Sequence, residues 1–516
     1  MTAPTRSPSI RRRWDRFVLQ AEGRLDGEAA DRLLPWIGAA LVFAVLLALD
    51  AAAIRALEGG SGLGPWLQAA WRRQHGGAGH PVGGLDPASA SWSFISEPVL
   101  WATRFVPAEA VFSTVQAGAI AAAVVPLWRL AREEARLRVG ASLVVITAFA
   151  LAPTLHRADL SAFHPELIAL PALLWAYLQA CRGHHKRYAA LVLVVLLCRA
   201  DLGLTVAALG ALLATQGQRR KGVITAVVGL AWSIAAVLVL HPKAPDRALT
   251  PAGEFVARSV TPLAAFPRLV FHPLFELREL LAEPSVLFLV VVLAPLLFLP
   301  LVSPRKLLVA MPCLVLAMIA DRAVQRNAQE GVLNLSPAAA HIGPATAFVF
   351  VALVFALERI GEVSVTRVNV DRRVLLALLA GAVLLFVTEA PSSPYRQPWA
   401  WGSRDAVDGA RLEAVDRIDP DAAVASSPTT TALVAERADL IELPPDPENL
   451  TAARIRLVAK RAEVVLLDTS EVDNRTGDPL WTDADRATVL DRFAERGYDP
   501  TYQAAGIYLL DRSGTG

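Results

Sequence analysis

About eleven apolar runs, several of them shorter than a full membrane-crossing helix, constrain this chain more than any other feature. They are Leu33–Ile54, Ala110–Leu130, Val139–Thr154, Phe163–Leu178, Tyr188–Cys198, Leu202–Thr215, Val223–His241, Val286–Val302, Leu307–Ala320, Ile342–Leu357 and Val374–Val387. A helix of roughly 20 mainly apolar residues crosses the hydrocarbon core of a bilayer, so the pattern predicts a polytopic α-helical membrane protein. The totals agree, with 54% hydrophobic and 19% charged residues and a mean hydropathy of +0.42. Such a balance excludes an ordinary water-soluble class, and nothing in the chain points to nucleic acid as a partner.

Orientation follows from where the basic residues fall, because short cytoplasmic loops collect Lys and Arg. With the polar segment 1–32 inside, every second loop should be basic. Those loops are 129–138, 181–187, 216–221, 303–306 and the stretch holding Arg359, Arg367, Arg372 and Arg373, and all five are basic. Merging the two runs that flank Arg199 and Asp201 would put the later basic loops outside, so the charges favour two separate spans. No small-residue cleavage site follows the first run, which therefore reads as an uncleaved span. The expected layout is a plasma-membrane protein with a cytoplasmic N-terminus and a transmembrane part over 33–390. Long outer loops are expected at 55–107, 242–284 and 321–341.

The first outer loop carries Trp66, Trp71, Trp92 and Trp101, which suit short helices at the membrane interface. The second holds an amphipathic stretch from Phe266 to Leu281. After Pro391 the apolar runs become strand-sized. Ala422–Ser426, Asp439–Leu443, Ala462–Asp468 and Gln503–Asp511 read as strands, and Ala484–Gly497 as a charged amphipathic helix. Residues 391–516 are thus expected to form a small extracytoplasmic α/β domain, without any phosphate-cradling motif. Cys181, Cys198 and Cys313 lie at or inside apolar runs with no CxxC pair, so they read as buried thiols and no residue is singled out as a metal ligand.

Ionisable groups beside a bilayer are costly, and those that persist there are candidates for function. One cluster is His156, Arg157, Asp159, His164 and Glu166; a second is Arg199 with Asp201; a third is Asp321, Arg322 and His341. Bland readings stand beside these. Pro165 suits the first turn of a helix, with Glu166 favoured at its positive end. Arg199 and Asp201 are two apart and cannot face each other along one helix, which leaves a turn with separate partners or a substrate contact.

Phe163-His-Pro-Glu166 followed by Leu167-Ile-Ala-Leu-Pro171 resembles the FHP motif of the predicted membrane proteins grouped as "domain of unknown function 2079". Cys198-Arg-Ala-Asp-Leu-Gly203, Leu293-Ala-Pro-Leu296, Ala310-Met-Pro312 and Ser336-Pro-Ala-Ala-Ala-His-Ile-Gly-Pro344 resemble its later motifs in the same order. That family is similar in layout to the membrane-embedded GT-C glycosyltransferases. The resemblance implies a polyprenyl-phosphate sugar donor taken from the membrane lipid at the outer face. It also implies a carboxylate base, and a divalent metal ion or basic groups to neutralise the departing phosphate. The first loop departs from the family pattern. Gly62 stands where the acidic residue belongs and Leu67 where a second acid belongs, so Asp86 and Glu97 become the candidate catalytic carboxylates. His164, Glu166, Arg157, Asp159, Arg199, Asp201 and His341 are then the candidate substrate-binding residues.

Three functions compete at this level. A GT-C-like glycosyltransferase leads. A catalytically inactive lipid-carrier-binding protein or envelope-assembly scaffold is the alternative that the missing first-loop acid suggests. A transporter stands behind both, because the spans show no internal repeat.

Overall fold

A computed structural model of the chain describes residues 27–57, 60–82, 86–240, 283–325, 336–364, 366–395, 402–471 and 479–512. The expected amphipathic stretch in the second long loop, most of the N-terminal segment and the middle of the third loop lie outside these residues. So do the side chains of Asp321, Arg322 and His341.

Every one of the apolar runs carries helix. The helical part of the chain comprises α1 (Glu28–Arg55), α2 (Gly60–Gln74) and α3 (Ser96–Ala102) of the first long loop, α4 (Ala108–Arg129), α5 (Val139–Ala150), α6 (Pro153–Ser161) and α7 (Ala169–Cys181). It continues through α8 (His185–Cys198), α9 (Leu202–Thr215), α10 (Arg219–Leu240), α11 (Glu283–Leu293), α12 (Met311–Gln325), α13 (Ser336–Ile360) and α14 (Arg372–Glu389). Among the described residues, four helical stretches are long and apolar enough to cross a membrane: Glu28–Arg55, Ala108–Glu134, Val139–Ser161 and Ile342–Ile360. Pro165–Cys181 and Leu202–Thr215 are shorter apolar helices.

Prolines set several of the breaks. Pro153 opens α6 after a turn at Leu151, and Pro165 opens a 3-10 turn over Pro165–Ile168 that runs into α7. The bundle core is alanine, leucine and valine, with Trp128, Phe149, Tyr177 and Phe348 fully buried among them. Its outside is apolar as well. Leu33, Trp36, Ile37 and Leu41 on α1, and Val223, Ile224, Val227 and Leu238 on α10, are all about half exposed or more. A water-soluble surface does not leave so much aliphatic area bare; a bilayer covers it.

The C-terminal region is an α/β layer. Its helices are α15 (Ala406–Asp416), α16 (Ala452–Val458) and α17 (Asp483–Ala494). A short hairpin of β1 (Glu362–Ser364) and β2 (Arg367–Asn369) precedes α14 in the bundle. The layer's sheet contains β3 (Val424–Ser426), β4 (Leu440–Glu442), β5 (Val464–Asp468), β6 (Tyr498–Ala504) and β7 (Ile507–Arg512), in the order β4-β3-β5-β7-β6. Strands β4, β3 and β5 are parallel, and β7 and β6 add antiparallel. The run Gln503–Asp511, expected to be a single strand, comprises the end of β6, a turn at Ala505–Gly506 and most of β7. Ala505 and Gly506 both take positive φ, 48° and 83°, and reverse the chain there.

Alternation along β5 splits the layer's packing. Val465 and Leu467 face Ile455, Val458, Val489 and Phe493 of α16 and α17. Val464 and Leu466 face the other way, toward Ala410 and Ala414 of α15 and toward Trp66, Leu67, Ala69 and Ala70 of α2. The first long loop therefore completes the cover of this sheet, and α2 lies between the sheet and the helical bundle. Trp66, expected at a membrane interface, is instead core, 4% exposed and edge-on to Phe163 at 5.1 Å.

Candidate functional site

The loop end of the bundle holds a cavity of about 50 Å³, large enough for a few waters or an ion. Its walls come from four elements: Asp50, Ala53 and Ile54 of α1, Leu63 of α2, Phe112, Ser113 and Gln116 of α4, and the end of α6 from Asp159 to Phe163. Asp50 is 5% exposed and Asp159 4%. Among the described residues, Asp50 Oδ2 and both carboxylate oxygens of Asp159 are buried with no hydrogen-bond partner. The two groups are close enough to repel electrostatically.

Buried polar atoms are ordinarily satisfied, because an unmet acceptor costs about 1–3 kcal/mol and an unpaired charge more. The Gln116 amide beside them does not relieve the pair. Its nitrogen donates to the carbonyls of Asp159 at 2.5 Å and Ala162 at 3.0 Å, and its oxygen accepts from the His164 backbone at 2.7 Å. Gln116 thus fixes the backbone that presents Asp159 and leaves the carboxylate itself open. Two facing carboxylates in such a place can share a proton or hold a cation between them. Among the described residues no group of three or more His, Cys, Asp and Glu gathers as a metal cluster. The three free oxygens nonetheless fit a hard divalent ion that keeps most of its waters and takes one or two carboxylates.

The remaining candidate residues are spoken for. Arg73 of α2 donates to both Asp86 carboxylate oxygens at 2.7 and 3.1 Å and to both Glu97 oxygens at 2.7 and 3.0 Å. Asp86 also caps the helical turn Pro87–Ala90 through the Ala88 amide. These acids staple the first loop to itself. Arg157 donates to the Glu389 carbonyl at 3.2 Å, and His156 sits between the Ala150 carbonyl and the Ser392 hydroxyl at 2.8 Å each.

A second buried network joins α7, α8 and α9. His164 Nδ1 lies 3.2 Å from Glu166 Oε1, Arg199 donates to the same oxygen at 3.1 Å, and Arg199 Nε lies 2.7 Å from Asp201 Oδ1. Arg199 and Asp201 do meet, contrary to the helical-spacing expectation, because Arg199 has extended backbone (φ −168°, ψ 153°) in the break between α8 and α9. The helix rule has no force across that break. Asp159 is thus set beside Asp50, and the His164–Glu166–Arg199–Asp201 network adjoins their cavity through Gln116 and through Ser161, whose hydroxyl lies 3.1 Å from His164 Nε2.

Asp50 is absent from the sequence candidates, although a signal for it exists. It is the one charged residue inside the run Leu33–Ile54, and an ionisable group within a span is a candidate by default. Gln116 offered a weaker signal, as the carboxamide within the second run.

The family model described as "Predicted membrane protein (DUF2079)" matches residues 98–509 of this chain. No curated protein matches it. Among solved structures, the crystal structure of the Archaeoglobus fulgidus oligosaccharyltransferase in the apo form is similar at 14% sequence identity. The likeness covers 92% of this chain and 74% of that chain, with a TM-score of 0.40.

Proposed function

Since the chain belongs to the family of predicted membrane proteins called domain of unknown function 2079, we propose that it is a membrane-embedded glycosyltransferase of GT-C-like layout. In this reading it takes a polyprenyl-phosphate-linked sugar at the outer membrane face. The observation that carries the reading is the pair Asp50 and Asp159, two buried carboxylates with free oxygens in one cavity at the loop end of the bundle. The alternating basic loops support a cytoplasmic N-terminus, the shorter helices as further spans toward a total of about eleven, and an outer position for the cavity and for residues 391–516.

Sugar transfer from a lipid phosphate needs a base for the acceptor hydroxyl and a counter-charge for the departing phosphate. One of the two carboxylates accepts the acceptor's proton. Asp50 and Asp159 together would hold a divalent cation, which when bound supplies the positive charge at the phosphate. Gln116 positions Asp159 through its backbone. The His164–Glu166–Arg199–Asp201 network orders α7, α8 and α9 around the site, and Arg73 with Asp86 and Glu97 keeps the first loop in shape.

The alternative, a lipid-carrier-binding or scaffold protein without catalysis, draws on Gly62 standing where the family carries an acid and on Asp86 and Glu97 being held by Arg73. Purified full-length chain in proteoliposomes, offered a panel of polyprenyl-phosphate sugars, separates the two. Transfer that falls by about 100-fold or more in Asp50→Asn and in Asp159→Asn supports the transferase. Donor binding without transfer in the native chain selects the alternative.

A further inference from the structure

No residue of the C-terminal layer lines the carboxylate cavity, yet that layer packs against the helix that contributes one of its walls. From the first loop the cavity is lined by Leu63 of α2. On the bundle side α2 rests on the end of α6, where a Cβ on Gly62 would stand 2.5 Å from the Ala162 Cβ and 2.6 Å from the Ser161 carbonyl oxygen. On its other side α2 is gripped by the C-terminal layer. A Cβ on Gly64 would stand 2.6 Å from Thr431 Cγ2. The buried Gln68 amide, 1% exposed, donates to the Arg437 and Ala438 carbonyls at 3.4 and 3.3 Å, and to the His80 carbonyl at 3.1 Å. Its oxygen accepts from the Val82 amide at 2.6 Å, and His80 forms a parallel bridge with Asp439 beside the edge strand β4. Trp66, Leu67, Ala69 and Ala70 share one apolar core with Val424, Val434 and Leu466.

We propose that the C-terminal layer is a latch that holds α2 closed over the Asp50–Asp159 cavity, and that release of the latch admits any ligand larger than an ion or a few waters. Size argues for it. The cavity as it stands is about 50 Å³, whereas sites for small molecules run to roughly 300–1,000 Å³. The seam argues for it too, because α2 meets the bundle through the Gly62 contact and the packing of Trp66 on Phe163, whereas to the sheet it is both packed and hydrogen-bonded through Gln68. The inference rests on the cavity being the functional site and is independent of the chemistry carried out there.

The test is labelling of Asp50→Cys in the full chain by a charged, membrane-impermeant maleimide. The chain with Asp50 intact gives the background from Cys181, Cys198 and Cys313. Labelling of the single variant is expected to be slow. Adding Gln68→Ala, which removes the amide bridge, or Gly64→Val, which wedges α2 off Thr431, raises the rate about tenfold or more. Arg486→Ala, on the helix covering the opposite face of the sheet, leaves it unchanged. Gel filtration verifies that each variant is folded, and Gln68→Ala carries the test if Gly64→Val is not. Fast labelling without the second substitution, or rates unmoved in a folded Gln68→Ala variant, overturns the latch. Because labelling needs no catalysis, a chain that transfers no sugar still answers the question.

Discussion

Asp159 in the helical bundle and Asp468 at the end of β5 are buried to nearly the same degree, 4% and 2% exposed. Their surroundings differ in kind. Arg411 donates to Asp468 Oδ2 through Nε at 2.9 Å and lies 2.8 Å away through NH2, while Thr429 donates to the same oxygen at 2.7 Å. Ser470 gives Oδ1 both its backbone amide and its hydroxyl, at 2.9 and 2.5 Å. Burial alone would raise this carboxyl, but the Arg411 charge and the bonds from Ser470 and Thr429 hold it below the usual range. Asp159 has no comparable set of donors, only the Gln116 amide nearby, and the charge beside it is another carboxylate. A saturated buried acid is a structural joint. An open one is a site awaiting something.

The sharpest way to break that contrast is to remove each acid in turn. Asp468→Ala strands the Arg411 guanidinium beside Asp408 and leaves Thr429 and Ser470 without their acceptor. The C-terminal layer is expected to lose about 3–5 kcal/mol, read as a lowered melting temperature of the purified chain. A loss under about 1 kcal/mol would show that the network is slack. The neighbouring Glu471 supplies a pH test. Burial, reinforced by Asp468 and partly offset by Arg411, raises its carboxyl from 4.5 to about 7. A folded value above the unfolded one means that this group's contribution is fully present below pH 4.5 and is lost as pH rises through about 7. The layer should therefore weaken across that window by at most about 3 kcal/mol, and Glu471→Gln should flatten the dependence. An unchanged slope in that variant would assign the titration elsewhere.

Asp159→Asn should move stability far less than Asp468→Ala and in the opposite sense. It relieves a repulsion, so a gain of up to about 1 kcal/mol is expected even as transfer is lost. A large loss of stability would mean that Asp159 has a structural partner after all. The smallest effect belongs to Glu97→Gln. Its side chain is 50% exposed and its link to Arg73 lies at the surface, so a change below about 1 kcal/mol and no loss of transfer are expected. Loss of transfer in this variant would return the base to the first loop.

Much of the architecture was legible because the bilayer enforces a simple code. Backbone groups in hydrocarbon must be satisfied within the helix, so a helix in a bilayer announces itself as an apolar run, and the apolar run Leu202–Thr215 coincides with α9 residue for residue. The strands of the C-terminal layer were nearly as plain, since β5 is buried on both faces and reads as unbroken Val and Leu. The hairpin turn at Ala505–Gly506 was not, because alanine gives no warning of a positive φ.

The polar residues divide differently. Sequence alone determined that His164, Glu166, Arg199 and Asp201 were costly enough to need partners, because charge near hydrocarbon is expensive wherever it lies along the chain. It could not say which partner each would find. Arg199 reaches Asp201 through extended backbone in a helix break, and Asp86 and Glu97 turn to Arg73 across the loop. That Asp50 and Asp159, 109 positions apart in the chain, face one cavity under a helix held by the C-terminal sheet was decided by packing. Burial can be read from local composition; leaving two buried acids open in one cavity is a property of four elements brought together in space.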